Sequence, residues 1–363
     1  MTLRLPRRTL LKSAAATSVL AATGGRAFAQ EPLKVGFIYV GPVGDHGWTY
    51  RHDVGRRAVE EAYGDRVETT FVESVSEGPD AERVIRQLAA SGHGLIFTTS
   101  FGFMNATLRV ARQFPDVKFE HCTGYQRLDN VSTYAGRFYE GRAVIGTLAG
   151  HLTKTGKVGY IGSFPIPEVI RGINATAIHL RKINPNAEVV PIWVNTWYDP
   201  GREAEAAAAL IDQGVDVMTQ HTDSPAPLQT AAERGIPAFG QASDMQRFAP
   251  ETQVTAVIDD WNPYYIQRVG DVLDGSWTSM DTWDGLAKGK VVIAPYGPMV
   301  TPEMAADADR VQASIEDGSY HPFQGPVLAQ DGSVMIAEGE IPSDEMLLGM
   351  NRYVEGVVGS IPG

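Results

Sequence analysis

The chain has 363 residues, of which 43 are acidic and 31 are basic, and its formal net charge is −12 at pH 7. This acidic balance argues against a nucleic-acid-binding surface and against attachment to an anionic membrane. The length is sufficient for two domains with a substantial core, and no low-complexity linker interrupts the sequence.

The first 29 residues have the pattern of an export signal. The segment RRTLLK, residues 7–12, supplies positive charge, an alanine-rich apolar stretch follows, and AFA, residues 27–29, provides a small-residue cleavage site. The paired arginines favour a Tat signal, with an ordinary Sec signal as the alternative. Cleavage after Ala29 removes five basic residues and no acidic ones, so the net charge changes from −12 to −17.

The number and position of cysteines indicate whether the exported chain has a disulfide or a lipid anchor. The single cysteine, Cys122, allows no intramolecular disulfide, and no cysteine follows the apolar stretch to carry a lipid. No later segment reaches 18 uninterrupted apolar residues. We therefore expect a periplasmic protein without a lipid anchor.

The remaining sequence repeats its pattern with an offset of about 122 residues. KVGFIYVG begins at Lys34 and KVGYIGSF at Lys157, and both are short apolar runs typical of buried parallel strands. Two amphipathic helices that start near Asp80 and Gly201 each end at a glycine, Gly92 and Gly214. The order of strand, helix and strand, repeated in two halves, predicts two α/β lobes with parallel sheets and a ligand cleft between them.

Ligands of such sheets bind beyond the carboxyl ends of the strands, so the residues at those ends are the candidate site. We expect Gly44 and Gly47 to let a loop present the ring of Trp48 at the mouth of the cleft. Because Phe101 and Phe103 alternate, at most one of them should face the cleft. The full set of candidate binding residues is Trp48, Ser100, Phe101, Phe103, Asn105, Trp197, His221, Asp223, Gln241 and Asp244.

This set combines aromatic rings with neutral or acidic hydrogen-bonding groups, whereas arginine and lysine are nearly absent from the strand ends. A ligand with a free carboxylate or phosphate would need a guanidinium group or a glycine-rich helix start, and no P-loop or GxGxxG motif follows a strand. Two aromatic rings from opposite lobes could instead stack on a flat ring. The pattern therefore indicates a planar, uncharged, nitrogen-rich ligand.

Other chemistries have weaker support in the sequence. His46, His52 and His221 are poorly spaced for a metal site, so we expect neither metal nor cofactor. No Ser-His-Asp or Cys-His arrangement is recognisable, and neighbouring carboxylates such as Asp259 and Asp260 point to opposite faces of a strand. We therefore expect a binding protein and not an enzyme, with a nucleoside hydrolase or phosphorylase as a distant alternative.

The chain from Lys34 to about Pro295 resembles the basic membrane protein (BMP) family, the periplasmic purine-nucleoside-binding receptors of ABC importers. The resemblance is carried by GDHGW at residue 44, FYEGRAVIGTLAG at residue 138, GKVGYIGSFPIPEV at residue 156 and NTWYDPGREAEAAAALIDQGVDV at residue 195. It implies the type I periplasmic binding fold, with residues 31–140 and about 263–295 in one lobe and about 141–262 and 296–363 in the other. It also implies permease subunits as partners and a monomeric protein that binds no nucleic acid.

The resemblance also suggests what the cleft binds. Trp48 and Trp197 fall at the two stacking phenylalanines of the family, Asn105 lies near a base-reading aspartate, and Asp244 matches the second residue of an Asp-x-Asp segment. The first aspartate of that segment is Ala242 here, and a usual lysine is Asp259. Since those two positions look like ribose contacts in the family, we expect a free purine base, adenine first. A purine nucleoside or another planar heterocycle remains the alternative, as does a sensor role in place of transport.

Overall fold

The computed structural model describes residues 31–363, so the predicted export signal lies outside the described residues. The strands are β1 Leu33–Ile38, β2 Val67–Val72, β3 Leu95–Thr98, β4 Lys118–Cys122, β5 Val131–Gly136, β6 Lys157–Gly162, β7 Glu188–Trp193, β8 Val217–His221, β9 Ala238–Ala242, β10 Gln253–Asp259, β11 Asp281–Asp284, β12 Val291–Ile293, β13 Val327–Leu328 and β14 Val334–Ile336. The helices are α1 Gly47–Tyr63, α2 Pro79–Ala90, α3 Met104–Ala111, α4 Phe138–Leu152, α5 Pro167–Ile183, α6 Pro200–Asp212, α7 Ala226–Glu233, α8 Asn262–Leu273, α9 Pro302–Glu316 and α10 Asp344–Leu348.

The strands form two six-stranded sheets that are mostly parallel, which confirms the predicted fold. The first sheet has the order β11-β5-β4-β3-β1-β2, and every pairing in it is parallel. The second has the order β12-β10-β9-β8-β6-β7 and is parallel except for β12, which runs antiparallel to β10. The two glycines that were predicted to end equivalent helices, Gly92 and Gly214, have φ angles of +89° and +88°. Left-handed backbone of this kind is what glycine tolerates at a helix end.

The chain passes between the lobes three times. It leaves the first sheet after β5 and enters α4, returns after β10 into α8, and crosses again between Asp284 and Val291. Helix α8 packs in the first lobe on α1, where a Cβ on Gly55 would lie only 2.6 Å from the Tyr265 ring. Since β12 pairs with β10, the change of lobe occurs before residue 291 and not near the expected residue 295.

Helix α4 is almost wholly buried, and every residue from Phe138 to Gly150 is in the buried class. Its glycines allow α5 to approach closely: a Cβ on Gly146 would lie 2.6 Å from the Thr176 carbonyl oxygen, and one on Gly150 would lie 2.6 Å from the Ile183 Cβ. Helix α4 therefore has no solvent face, and any polar group on it must find its partners inside the protein.

Helix α5 carries a buried histidine whose titration affects stability. The ring nitrogens of His179 lie 2.9 Å from the Ala175 carbonyl oxygen and 2.8 Å from the Tyr320 hydroxyl. Burial lowers the pKa of His179 to about 3. In the unfolded chain a histidine binds its proton at about pH 6.5. Between these values the unfolded state binds more protons than the folded state, so the free energy of unfolding falls as the pH falls.

We expect His179→Gln to reduce the loss of stability in acid. Between about pH 7.5 and about pH 5, the titration of His179 should lower the free energy of unfolding of the wild type by about 2 kcal/mol. The variant should not show this part of the decrease. Urea denaturation of both proteins at both pH values measures this effect, and the difference between the proteins cancels the titration of the groups they share. Equal losses in the two proteins would contradict the assignment.

Candidate ligand-binding site

A cavity lies where the carboxyl ends of the two sheets face each other, and the space between its walls is about 340 Å³, open solvent included. Its walls come from segments that follow strands of both lobes. The lining residues are Val40, Trp48, Ser100, Phe101, Thr123, Glu168, Trp197, His221, Asp223 and Gln241. Seven of the ten residues predicted from the sequence are therefore brought together here.

The other three predicted residues lie elsewhere, and their placement in the cleft is corrected. Phe103 is completely buried among apolar side chains of the first lobe, because residues 101–103 form a 3-10 helical turn and not an extended strand end. Asn105 is exposed on α3. The Asp244 carboxylate accepts hydrogen bonds from the Gln246 backbone N–H and the Gln253 amide, so it holds the turn after β9.

Trp48 is the second residue of α1, so the expectation that it sits on a loop was wrong. The turn comes one residue earlier, at Gly47, whose φ is +76°. The Trp48 indole N–H donates to the Thr99 carbonyl oxygen at 2.7 Å, and its ring packs edge-on against Trp261 with 5.4 Å between the ring centres. A side chain fixed by a helix, a hydrogen bond and an aromatic neighbour is preorganised for stacking.

Trp197 reaches the cavity from the second lobe. Its indole N–H donates to Glu77 of the first lobe at 3.2 Å, and its ring packs on Phe164 with 5.1 Å between centres. Trp48 and Trp197 thus line one cavity from opposite lobes, as the sequence predicted.

Asp223 is a half-buried acid that lines the cavity. Burial raises the pKa of its carboxyl well above the ordinary value, and the negative charge of Glu203 raises it further. The backbone amide of Trp48, which belongs to the other lobe, has the opposite effect on this pKa. These surroundings favour the protonated carboxyl, which can donate to a ring nitrogen through its O–H and accept from an N–H group through its carbonyl oxygen.

Glu168 is a lining residue that the sequence reading missed. It lies in the first turn of α5, and its carboxylate is 3.4 Å from the His221 ring. Burial lowers the pKa of His221, although the Glu168 carboxylate partly opposes this shift. The segment IPEV after β6 carried the available signal, because an acidic residue that begins a helix directly after a strand lies at the same sheet edge as the other candidates.

A positively charged side chain also lies next to the cavity wall, although the sequence predicted few basic residues near the site. Arg142 of α4 is completely buried, and its guanidinium donates to the Gln241 side-chain oxygen, to the Gln220 carbonyl oxygen at 2.9 Å and to the Thr219 hydroxyl at 3.1 Å. The site therefore has a positively charged group beside it, but the hydrogen bonds of that group go to oxygens of the protein.

Asp259, which the resemblance placed at a ribose-contact position, is also buried. Within residues 31–363, neither oxygen of its carboxyl has a hydrogen-bond partner, and burial raises its pKa well above the ordinary value. Its neighbour Asp260 points away and lies 3.3 Å from the Arg51 guanidinium. Neither Asp259 nor Ala242 lines the cavity.

Contacts between the lobes hold the cavity closed. The Gly47 backbone N–H donates to the Ser243 hydroxyl at 2.7 Å, and the Arg51 guanidinium donates to the Asp259 carbonyl oxygen at 2.6 Å. At the rim, Asp45 and Arg247 form an ion pair that lowers the pKa of Asp45 to about 2. These contacts hold the two walls of the cavity together.

Over the described residues, no group of three or more histidine, cysteine, aspartate or glutamate side chains could hold a metal ion. Nor does any helix in that part of the chain have the length and apolar character to cross a membrane.

Residues 33–325 match the family model described as "ABC transporter substrate-binding protein PnrA-like". A purine-binding protein of Brucella abortus is 56% identical over 339 residues, covering 93% of this chain and 97% of that protein. A Haloferax volcanii protein, whose name proposes an ABC transporter glucose-binding role, is 37% identical and covers 93% of this chain and 84% of its own length.

Solved structures show the same fold at lower identity. A solute-binding protein of an ABC transporter system from Aeropyrum pernix aligns with a TM-score of 0.68 at 19% identity, covering 79% of this chain and 92% of that one. One from Conexibacter woesei aligns with a TM-score of 0.62 at 24% identity, covering 80% of this chain and 98% of that one.

Proposed function

Since the chain belongs to the PnrA-like family of ABC transporter substrate-binding proteins, we propose that it captures a purine base, adenine first, for import by an ABC permease. The observation that carries the proposal is the pairing of Trp48 and Trp197 from opposite lobes across one cavity. Each ring can stack on a flat heterocycle and contribute about 1–3 kcal/mol. The similar Brucella protein, which is named for purine binding, supports the same ligand class.

The polar groups of the cavity fit the edge of a purine. Asp223 and Glu168 offer oxygens to N–H groups, and the Gln241 amide can serve another edge of the ring. Arg142 hydrogen-bonds to protein oxygens, so a ligand carboxylate or phosphate would find no free guanidinium at this point of the wall.

A free base is favoured over a nucleoside for two reasons. The cavity is small, and the residues at the expected ribose-contact positions, Ala242 and Asp259, do not line it. A ribose would need both more volume and new hydrogen-bond partners for its hydroxyls, because burying unpaired polar groups is costly.

Capture takes place by closure of the lobes about the three crossings, and the closed form is what the permease subunits recognise. We place this step in the periplasm, after export and removal of residues 1–29, and propose a monomer. A sensor that presents the closed form to a membrane receptor would use the same site.

Calorimetric titration of the refolded, ligand-free mature chain tests the ligand assignment. We expect adenine to bind with a sub-micromolar Kd, about −8 kcal/mol or better, and adenosine to bind far more weakly. Tight adenosine binding would make the protein a nucleoside receptor. Guanine, hypoxanthine and glucose complete the series, and glucose binding without purine binding would overturn the proposal in favour of the ligand named for the Haloferax relative.

A further inference from the structure

Arg142 carries a buried charge that has no ion-pair partner in the part of the chain that the structure describes. Its side chain is completely inaccessible, and no ion pair with an N···O distance of 4.0 Å or less among residues 31–363 includes it. The guanidinium instead donates to three neutral oxygens, on Thr219, Gln220 and Gln241. Burying an unpaired charge is costly, so its position directly behind a cavity residue calls for a functional account.

The contact between Arg142 and Gln241 determines which way the Gln241 amide faces. A guanidinium has donors and no acceptor, so only the oxygen of a glutamine amide can face it. The amide nitrogen of Gln241 must then point away from Arg142. Gln241 lines the cavity, and its side-chain amide nitrogen donates no hydrogen bond among the described residues. The cavity wall therefore presents an N–H donor at this position.

We propose that Arg142 is a positioning residue that fixes Gln241 as a hydrogen-bond donor to a ring nitrogen of the ligand. The inference rests on the proposed function and adds to it that one edge of the bound ligand must accept a hydrogen bond. Asp223 and Glu168 supply oxygens elsewhere on the wall, so the site reads a ligand with an unprotonated ring nitrogen on one edge and N–H groups on another. A carbonyl oxygen on the ligand could also accept the hydrogen bond from the Gln241 amide. A ligand N–H at the same position would bind poorly, because two hydrogen-bond donors would then face each other.

The test replaces ring nitrogens of adenine one at a time, using 1-, 3- and 7-deazaadenine as probes. In each, a C–H group takes the place of one acceptor, so the analogue aligned with Gln241 leaves a buried donor unpaired. We expect one of the three to bind the wild type about 10- to 100-fold more weakly than adenine. In Gln241→Met, which has no donor, that ratio should fall below about threefold.

Arg142 variants separate positioning from mere packing. Arg142→Met and Arg142→Gln release the Gln241 amide to rotate, so the ratio between adenine and that analogue should shrink in both. Arg142→Lys, which still only donates, should preserve the ratio even if all affinities decline. Arg142→Gln retains polar contacts and serves if Arg142→Met fails to fold, as judged by circular dichroism.

The outcomes distinguish this inference from the function on which it rests. Wild type that binds adenine but shows no weakened deaza analogue would overturn the donor role of Gln241. A ratio unchanged in Arg142→Gln would overturn the positioning role of Arg142. Wild type that binds no adenine would overturn the proposed function, and this inference with it.

Discussion

Replacing Trp197 by alanine is expected to weaken adenine binding by about 10- to 100-fold, since one stacking surface is worth about 1–3 kcal/mol. Trp197 is only partly buried and follows the edge strand β7, so its removal should affect the site more than the core. It also removes the hydrogen bond from the indole to Glu77, which links the lobes in the closed form. Calorimetric titration of the variant with adenine measures the loss.

Two further variants show whether the loss comes from stacking. Trp197→Phe keeps an aromatic face but removes the donor, so it should recover most of the affinity if stacking dominates over the bond to Glu77. Trp193→Ala is the matched control, because Trp193 lies four residues earlier and its indole N–H donates to the Tyr353 hydroxyl, away from the cavity. If Trp193→Ala weakens binding as much as Trp197→Ala does, the loss reflects the second lobe as a whole and not the stacking surface.

Much of the fold could be predicted from local sequence signals. Glycines such as Gly92 and Gly214 end equivalent helices because a left-handed residue is needed there, and each half repeats the same order of elements. Once both sheets are recognised as parallel, the strand ends must meet at the cleft. The sequence therefore predicts that Trp48, Trp197 and Gln241 lie together, and all three line one cavity.

The predictions that were wrong concern residues whose position in the sequence does not determine where the side chain points. Phe103 was treated as part of a strand end, but a 3-10 turn after β3 directs it into the core. Asp244 follows β9 as predicted, yet its carboxylate is used by the turn itself. Both residues lie beyond the end of the preceding strand, Phe103 by five residues and Asp244 by two, so the alternation of a strand no longer applies to them.

Arg142 shows a different limit. It lies within a helix buried on all sides, so hydrophobic periodicity gives no face on which to place it. Its partners, Thr219, Gln220 and Gln241, are 77 to 99 residues away in the sequence. Only the packing of α4 on the second sheet brings them together, and that packing depends on glycines whose role becomes visible in the structure.

Lobe closure itself depends on Gly47, and Gly47→Ala is expected to weaken adenine binding by at least about tenfold. A Cβ at this position would lie 2.6 Å from the carbonyl oxygen of Asp223, which belongs to the other lobe. That contact exists only when the lobes are closed, so the clash of the added methyl group raises the free energy of the closed form relative to the open form. Small-angle X-ray scattering should show a radius of gyration that decreases with adenine in the wild type and decreases less in the variant.

Gly44→Ala is the matched control, because it shares the backbone problem without the clash. Gly44 has a φ of +50° and Gly47 one of +76°, so alanine is strained at both positions, and both variants should lose folding stability by about 1 kcal/mol. A Cβ on Gly44 would meet nothing closer than the His46 ring at 3.9 Å, within its own loop. Strain of this kind is present in both open and closed forms, so it cancels from the binding free energy, and Gly44→Ala should bind adenine within about threefold of the wild type. Equal losses of affinity in the two variants would mean that loop strain, and not contact between the lobes, controls binding.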